Sequence, residues 1–288
     1  MTDGKLPKIA CLSIDVEPDL RCPDQRIRLL EDDTRLDALC SLLRRNNVPL
    51  TCFVVMKHAA RHARVFTSLA NKVEAEFAVH SFSHDQRSPA TAEEVGRSWD
   101  TYCDLWNRPP RGYRSPNCVI DTQGLRNIVD RGFVYDSSIV PSIRFDQYSY
   151  NNLYLPTEPY VFSSAEKHIL EFPIACFGGI RLPLVLSYVK LFGLRAVQAA
   201  NSVLTLPQVA AVYFHPYDLY VGEIADNIPG WKKYAHLRNA GNGLRILEGL
   251  IEMLKENGYQ FMLMESAAEK LRAANLPVLS SLDSKQSR

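Results

Sequence analysis

His80 and His84 stand four residues apart in the stretch VHSFSHD (Val79–Asp85), directly after the apolar run Phe77-Ala78-Val79. At that spacing two imidazoles share one face of a helical turn and can reach one divalent cation. A catalytic cation site also needs a carboxylate and an open coordination position. SIDVEPD (Ser13–Asp19) offers two carboxylates, Asp15 and Glu17, where another apolar run ends. In extended backbone both point the same way, so one can ligate while the other stays free as a base. YFHPYD (Tyr213–Asp218) brings a further imidazole, His215, at another strand end. GYRSP (112–116) adds Arg114, and FVYDSS (133–138) adds Asp136.

Each piece alone has an ordinary structural explanation. Asp136 before two serines could be an Asx-turn residue, His215 could cap a strand, and Arg114 could be a surface arginine. The chain also contains its own control. His58 and His62 have the same spacing but lie in KHAARHAR among Lys57, Arg61 and Arg64, which reads as the solvated basic face of an exposed helix. What separates the other candidates is their common position after apolar, strand-like runs.

Those runs alternate with helical patterns. Strands are expected over 9–14, 50–55, 76–79, 112–116, 133–138, 168–174, 209–215 and 259–264. Helices are expected from Asp33-Thr34 to Asn46, over 57–72, from Thr91 to about Asn107, and from Asp121 or Thr122 to Arg131, closed by Gly132. Further helices are expected within 183–203, around Leu244, Leu247, Ile251 and Leu254, and up to about Ala274. Residues 140–165, rich in Tyr, Asn, Pro and Ser, read as one long functional loop, with Phe145, Tyr148, Tyr150, Tyr154 and Tyr160 suited to stacking on sugars or simply to packing the loop. Trp231 and Arg181 are open to the same two readings, and 222–242 reads as irregular. The fold class is α/β, with a parallel sheet and chemistry at the C-terminal strand ends. Convergence from five strand ends favours a deformed or incomplete (β/α) barrel. It would form a single domain over 1–278, with 279–288 a polar, frayed tail.

Composition sets the outer bounds. The chain has 288 residues, 46% hydrophobic and 23% charged, with net charge +1, so no global field favours nucleic acid or an anionic membrane. Seven cysteines without a Cys-x-x-Cys pair read as reduced thiols, and MTDGKLPKIACLSID does not read as a secretory signal; the expected location is cytoplasmic. The apolar stretch 180–200 is interrupted by Arg181, Pro183, Lys190 and Arg195, so it reads as a buried helix, with peripheral membrane contact as the other option.

In order and spacing these pieces resemble the polysaccharide deacetylase (NodB-like) family of carbohydrate esterases. SIDVEPD resembles its first motif, in an Asp-x-Glu variant; VHSFSHD the second, GYRSP the third, FVYDSS the fourth and YFHPYD the fifth. LEFPIACFGGIRLP and YFHPYDL are similar to the branch associated with exopolysaccharide and surface-glycan assembly. The resemblance spans roughly residues 9–270. It implies a deformed (β/α)7-type barrel and one divalent metal, zinc before cobalt, manganese or nickel. The implied reaction is removal of an N-acetyl or other N-acyl group from an amino sugar, small or lipid-linked. It also implies that Glu17, His80 and His84 hold the metal and that Asp15 is the general base, oriented by Arg114. His215 would be the general acid, supported by Asp136, with Ser115, Pro116 and Tyr148 near the substrate. The extra spacer before Glu17 leaves open an exchange of roles with Asp15. Two rivals remain: a hydrolase of formamido sugars or cyclic ureides, and a metal-free binding subunit.

Overall fold

Twelve strands occur in chain order in the computed structural model, which describes residues 6–22, 24–85, 90–220 and 230–283, with Trp231 and Lys232 by backbone alone. They are β1 (Ile9–Val16), β2 (Leu50–Val54), β3 (Ala75–Val79), β4 (Gly112–Tyr113), β5 (Tyr135–Asp136) and β6 (Ile143–Arg144). The rest are β7 (Tyr150–Asn151), β8 (Tyr160–Ser164), β9 (Lys167–Glu171), β10 (Val209–Phe214), β11 (Gln260–Phe261) and β12 (Val278–Leu279). Seven run parallel in the order β10-β1-β2-β3-β4-β5-β9. Ile174, just past β9, bridges in parallel to Ala211 of β10 and closes the ring. The result is a deformed (β/α)7-type barrel. β8 lies antiparallel along β9 and carries β12, so the wall is splayed on that side.

The pleat decides what faces the lumen. β1 is buried at every position, as a strand covered on both faces must be. Ala10, Leu12, Ile14 and Val16 pack outward against the helices, whereas Ile9 and Cys11 belong to the inner cluster with Phe53, Ala78, Tyr135 and Phe172. The inward series continues to Ser13 and Asp15. The same alternation sends Phe77 and Val79 of β3 outward, and Glu76, Ala78 and then His80 inward. Apart from the buried Glu76 carboxyl and the Thr51 hydroxyl bonded to it, the barrel floor is therefore apolar, and its C-terminal rim is polar.

Helices between the strands begin where side chains can cap them. Asp32 accepts from the Arg35 N–H, Thr91 from Glu94 and Asp121 from Gly124. Gly132, at φ 108°, ends the helix Thr122–Arg131. Residues 56–72 form two helices joined by a 3₁₀ turn, Ala60–His62.

Four expectations need correction, the first being 222–242, where Trp231–Leu237 is a helix and Ala240–Asn242 a 3₁₀ turn. The segment 140–165 is not one loop: it holds the hairpin β6–β7 and all of β8. Residues 279–283 are not frayed. Leu279 pairs with β8, Ser281 and Leu282 are buried, the Leu282 N–H bonds Thr122 Oγ1, and the Tyr154 hydroxyl bonds the Leu282 carbonyl. His58 and His62 are not solvated. Both are buried, because the helix turns them toward the barrel and leaves Lys57, Arg61 and Arg64 outside. Residues 284–288 and 221–229 lie outside the described residues, as does the Trp231 side chain. No helix among the described residues is long and apolar enough to cross a membrane.

Candidate metal and active site

Glu17, His80 and His84 each bring one ligand atom to a cluster in which all three lie within 4.8 Å of one another. Glu17 Oε2 is 2.5 Å from His84 Nε2 and 3.4 Å from His80 Nε2. His80 leaves the end of β3 and makes its other ring contact, Nδ1 to the Arg114 carbonyl, at 2.9 Å. That contact places the proton on Nδ1 and leaves the Nε2 lone pair facing Glu17.

The loop that follows is not the helical turn the spacing predicts. Ser81 and His84 both adopt left-handed backbone, at φ 60° and 62°. Ser81 Oγ accepts from the His84 N–H, while Glu94 accepts from both the N–H and the hydroxyl of Ser83. Side-chain bonds and two strained residues, not helical periodicity, bring the rings 5.2 Å apart.

Beside this cluster lies a buried ion pair. Arg114 Nη1 donates to Asp15 Oδ1 at 2.6 Å and to Ser13 Oγ at 2.9 Å. Its Nε and Nη2 donate to the carbonyl and hydroxyl of Ser137. Phe53 lies under the guanidinium at 4.0 Å. Four of the five N–H donors of this fully buried cation are thereby directed. Asp15 and Glu17, left interchangeable by the sequence, are separated here. The strand ends at Val16, the Glu17 N–H turns back to the Asp15 carbonyl, and only Glu17 joins the imidazoles.

His215 completes the rim. Its Nε2 is 3.8 Å from Glu17 Oε1, and its ring stacks on Tyr217 at 4.6 Å. Its Nδ1 is bound to Asp218 Oδ2 at 3.1 Å, and the same oxygen accepts the His215 backbone N–H at 2.9 Å. Burial opposes its charge, but Asp218, Glu17 and Asp15 raise its pKa to about 9. Burial likewise opposes ionisation of Glu17, yet the two imidazoles hold its carboxyl well below the usual range. His84 is pulled down by burial and raised on balance by Glu17.

Asp136 is not part of this rim. The amides of Val134 and Tyr135 both point at the Arg111 carbonyl, so the strand carries an extra residue that resets its pleat. Tyr135 then faces the lumen, and Asp136 faces out, opposite Tyr113 of the outer core. It bonds Ser138, not His215. The acid that does reach His215 is Asp218, which sequence reading left without a role. Its signal was local: an acid three residues after His215, with Pro216 opening a short helix, is the pattern of a side chain reaching back to cap a turn.

The expected substrate contacts are mixed. Ser115 and Pro116 are buried, with the Ser115 N–H bonded to Ser138 Oγ and its hydroxyl to the Val119 carbonyl, so they build the wall. Tyr148 is partly exposed under the Arg144 guanidinium, and its N–H is taken by Asp146. Tyr160 is fully buried, while Phe145 is 84% exposed. Arg181 donates to the carbonyls of Pro141 and Leu155 and ties two loops together.

The donor set fits a divalent cation. The Nε2 atoms of His80 and His84 are buried without a well-formed hydrogen bond, and a carboxylate oxygen crowds both. Residues 8–134 match the family model described as polysaccharide deacetylase. No curated protein matches the chain significantly. Solved structures share its fold. A candidate polysaccharide deacetylase from Mycobacterium smegmatis aligns at TM-score 0.55 and 20% identity, over 98% of this chain and 94% of that one. A CE4 family pseudoenzyme from Bacillus anthracis aligns at 0.53 and 12%, over 91% and 66%. A family 4 carbohydrate esterase from Streptomyces lividans, in complex with acetate, aligns at 0.50 and 11%, over 90% and 93%.

Proposed function

We propose that the chain is a polysaccharide deacetylase, a metal-dependent hydrolase that removes an N-acetyl group from an amino sugar. The observation that carries the reading is the convergence of two orphaned imidazole nitrogens and the Glu17 carboxylate beside a buried Arg114–Asp15 pair. Glu17, His80 and His84 would hold a divalent cation, zinc being the simplest match to two imidazoles and one carboxylate. Bound there, it supplies Lewis acidity toward an acyl oxygen and lowers the pKa of a water.

The chain's own groups do the rest. Asp15, fixed by Arg114, accepts the proton that water loses as it attacks the acyl carbon. His215 carries a proton on Nε2 toward the departing amine, while Asp218 holds the ring by Nδ1. Each such group contributes about 10²–10⁴-fold in rate. A surface-glycan or glycolipid precursor as substrate, and a cytoplasmic location, belong to the same reading; all seven cysteines are free thiols, as a reducing compartment would keep them.

The test is metal analysis joined to mass spectrometry of N-acetylated nucleotide sugars and lipid-linked sugars. Stoichiometric zinc and loss of one acetyl mass are expected. Glu17→Gln should lose the metal, whereas Asp15→Asn should keep it and lose turnover. The rival, a metal-free binding subunit, is suggested by the pseudoenzyme among the neighbours of this fold. Protein purified without chelators that holds no metal and cleaves none of these sugars would favour that rival.

A further inference from the structure

Asp136 and Glu171 sit directly opposite each other on β5 and β9, both fully buried on the outer side of the sheet. Asp136 receives the Ser138 N–H and hydroxyl, at 3.1 and 2.8 Å. Glu171 Oε1 receives the Ile139 N–H at 3.0 Å, and its Oε2 receives no donor from the protein. Neither carboxyl has an ion-pair partner among the described residues. The nearest cation, Arg114, directs its donors at Ser13, Asp15 and Ser137 instead. The titratable groups facing the pair are Arg114, Tyr113 and Tyr160; the helix Thr122–Arg131 turns Leu125, Ile128 and Val129 inward. Tyr160, opposite Glu171 on β8, is itself buried with an unpartnered hydroxyl.

Adjacent strands stand about 4.8 Å apart. Two carboxylates at that separation, away from water and without a cation, do not both ionise. We propose that Asp136 and Glu171 share one proton and that this pair is a positioning device for the Arg114–Asp15 ion pair. The route is short. The pair binds the amides of Ser138 and Ile139 and the Ser138 hydroxyl, which fixes the exit of β5. Ser137 in that exit takes two donors of Arg114, and Ser138 Oγ also accepts the Ser115 N–H next to Arg114. Arg114 so held has Nη1 aimed at Asp15. Burial first, and then the Asp136 charge, hold the Glu171 carboxyl well above the usual carboxylate range, in keeping with a proton resident on the pair.

The proposal rests on the deacetylase reading only where activity is measured; its other two readouts do not need it. Glu171→Gln keeps the size of the acid and the donor to Asp136, and Glu171→Ala removes both. In infrared spectra at pH 8, the wild type should show the carbonyl stretch of an un-ionised carboxyl that Glu171→Gln lacks. For the sign of the pH effect, a carboxyl raised in the folded state stabilises most below its unfolded pKa, and that stability is lost as pH rises above the ordinary carboxylate range. Glu171→Gln should therefore flatten the fall of stability with pH. On an N-acetylated sugar probe, Glu171→Gln should keep kcat within about threefold, and Glu171→Ala should lower kcat about 10–100-fold with little change in KM, as misplacement of a reacting group does. Three results overturn the proposal: a wild type without the extra un-ionised carboxyl, a Glu171→Gln variant as inactive as Glu171→Ala, or one that does not fold. If the infrared and stability results hold while no probe is cleaved, the shared proton stands and the deacetylase reading fails.

Discussion

Asp218 grips His215 at two points, ring and backbone, and is gripped in turn by the Ser187 hydroxyl, while Lys190 holds its carbonyl. Removing the carboxylate frees the imidazole to rotate and to exchange tautomers. Asp218→Ala is expected to lower kcat about 100-fold while metal content, measured by atomic emission, stays at the wild-type level. Parallel loss of metal would mean that the residue acts on the cation cluster and not on His215. At this scale much was legible in the chain. His80, His84, Glu17, Asp15, Arg114 and His215 each follow a strand-like run, and all converge. Asp136, which the family resemblance implies as support for His215, points elsewhere because a single extra residue before Tyr135 decides which way that side chain points. Glu171 was missed because it meets Asp136 only across a strand pair, 35 residues away in sequence.

The helix Gly243–Glu256 touches the short helix Pro216–Tyr220 where its first residue has no room for a side chain. A Cβ on Gly243 would lie 2.6 Å from Leu219 Cα and 2.7 Å from the Asp218 carbonyl oxygen. Both are backbone atoms and cannot rotate away. Gly243→Ala is expected to cost about 1–3 kcal/mol through overpacking, seen as a lower melting temperature in calorimetry. It should also lower kcat, because the displaced segment carries Asp218. Unchanged stability would show that the two helices separate freely. Helical periodicity marks the Gly243–Glu256 helix through Leu244, Leu247, Ile251 and Leu254, but not its five-residue partner, which has no pattern to read. The longer helices, with Asp32, Thr91 and Asp121 as caps, were legible to within a residue or two.

At the scale of the whole barrel, Glu76 links strands that the chain separates widely. Its carboxyl receives the Tyr135 hydroxyl from β5, the Thr51 hydroxyl from β2 and the Glu265 N–H at the start of the helix Met264–Leu271. Burial raises its pKa from 4.5 to about 7. Below 4.5 the group is neutral in both folded and unfolded chain, and its contribution is complete. As pH rises from 4.5 toward 7 the unfolded chain releases the proton first, so stability falls, by about 3 kcal/mol in all. Chemical denaturation at pH 5 and pH 8 should show Glu76→Gln losing less stability over that interval than the wild type. An identical loss in both would place the pH dependence elsewhere.

From residue types alone came the alternation of strands and helices, the α/β barrel, and a set of acids and imidazoles at strand ends, because burial periodicity and metal-ligand chemistry are local properties of a chain. The fold alone decided that Glu17 joins the imidazoles while Asp15 joins Arg114, that Asp218 replaces Asp136 beside His215, and that His58 and His62 are buried. Those outcomes turn on a bulge, a tight bend and two left-handed residues. Such features select a side of the sheet, and the choice is settled by neighbours distant in sequence.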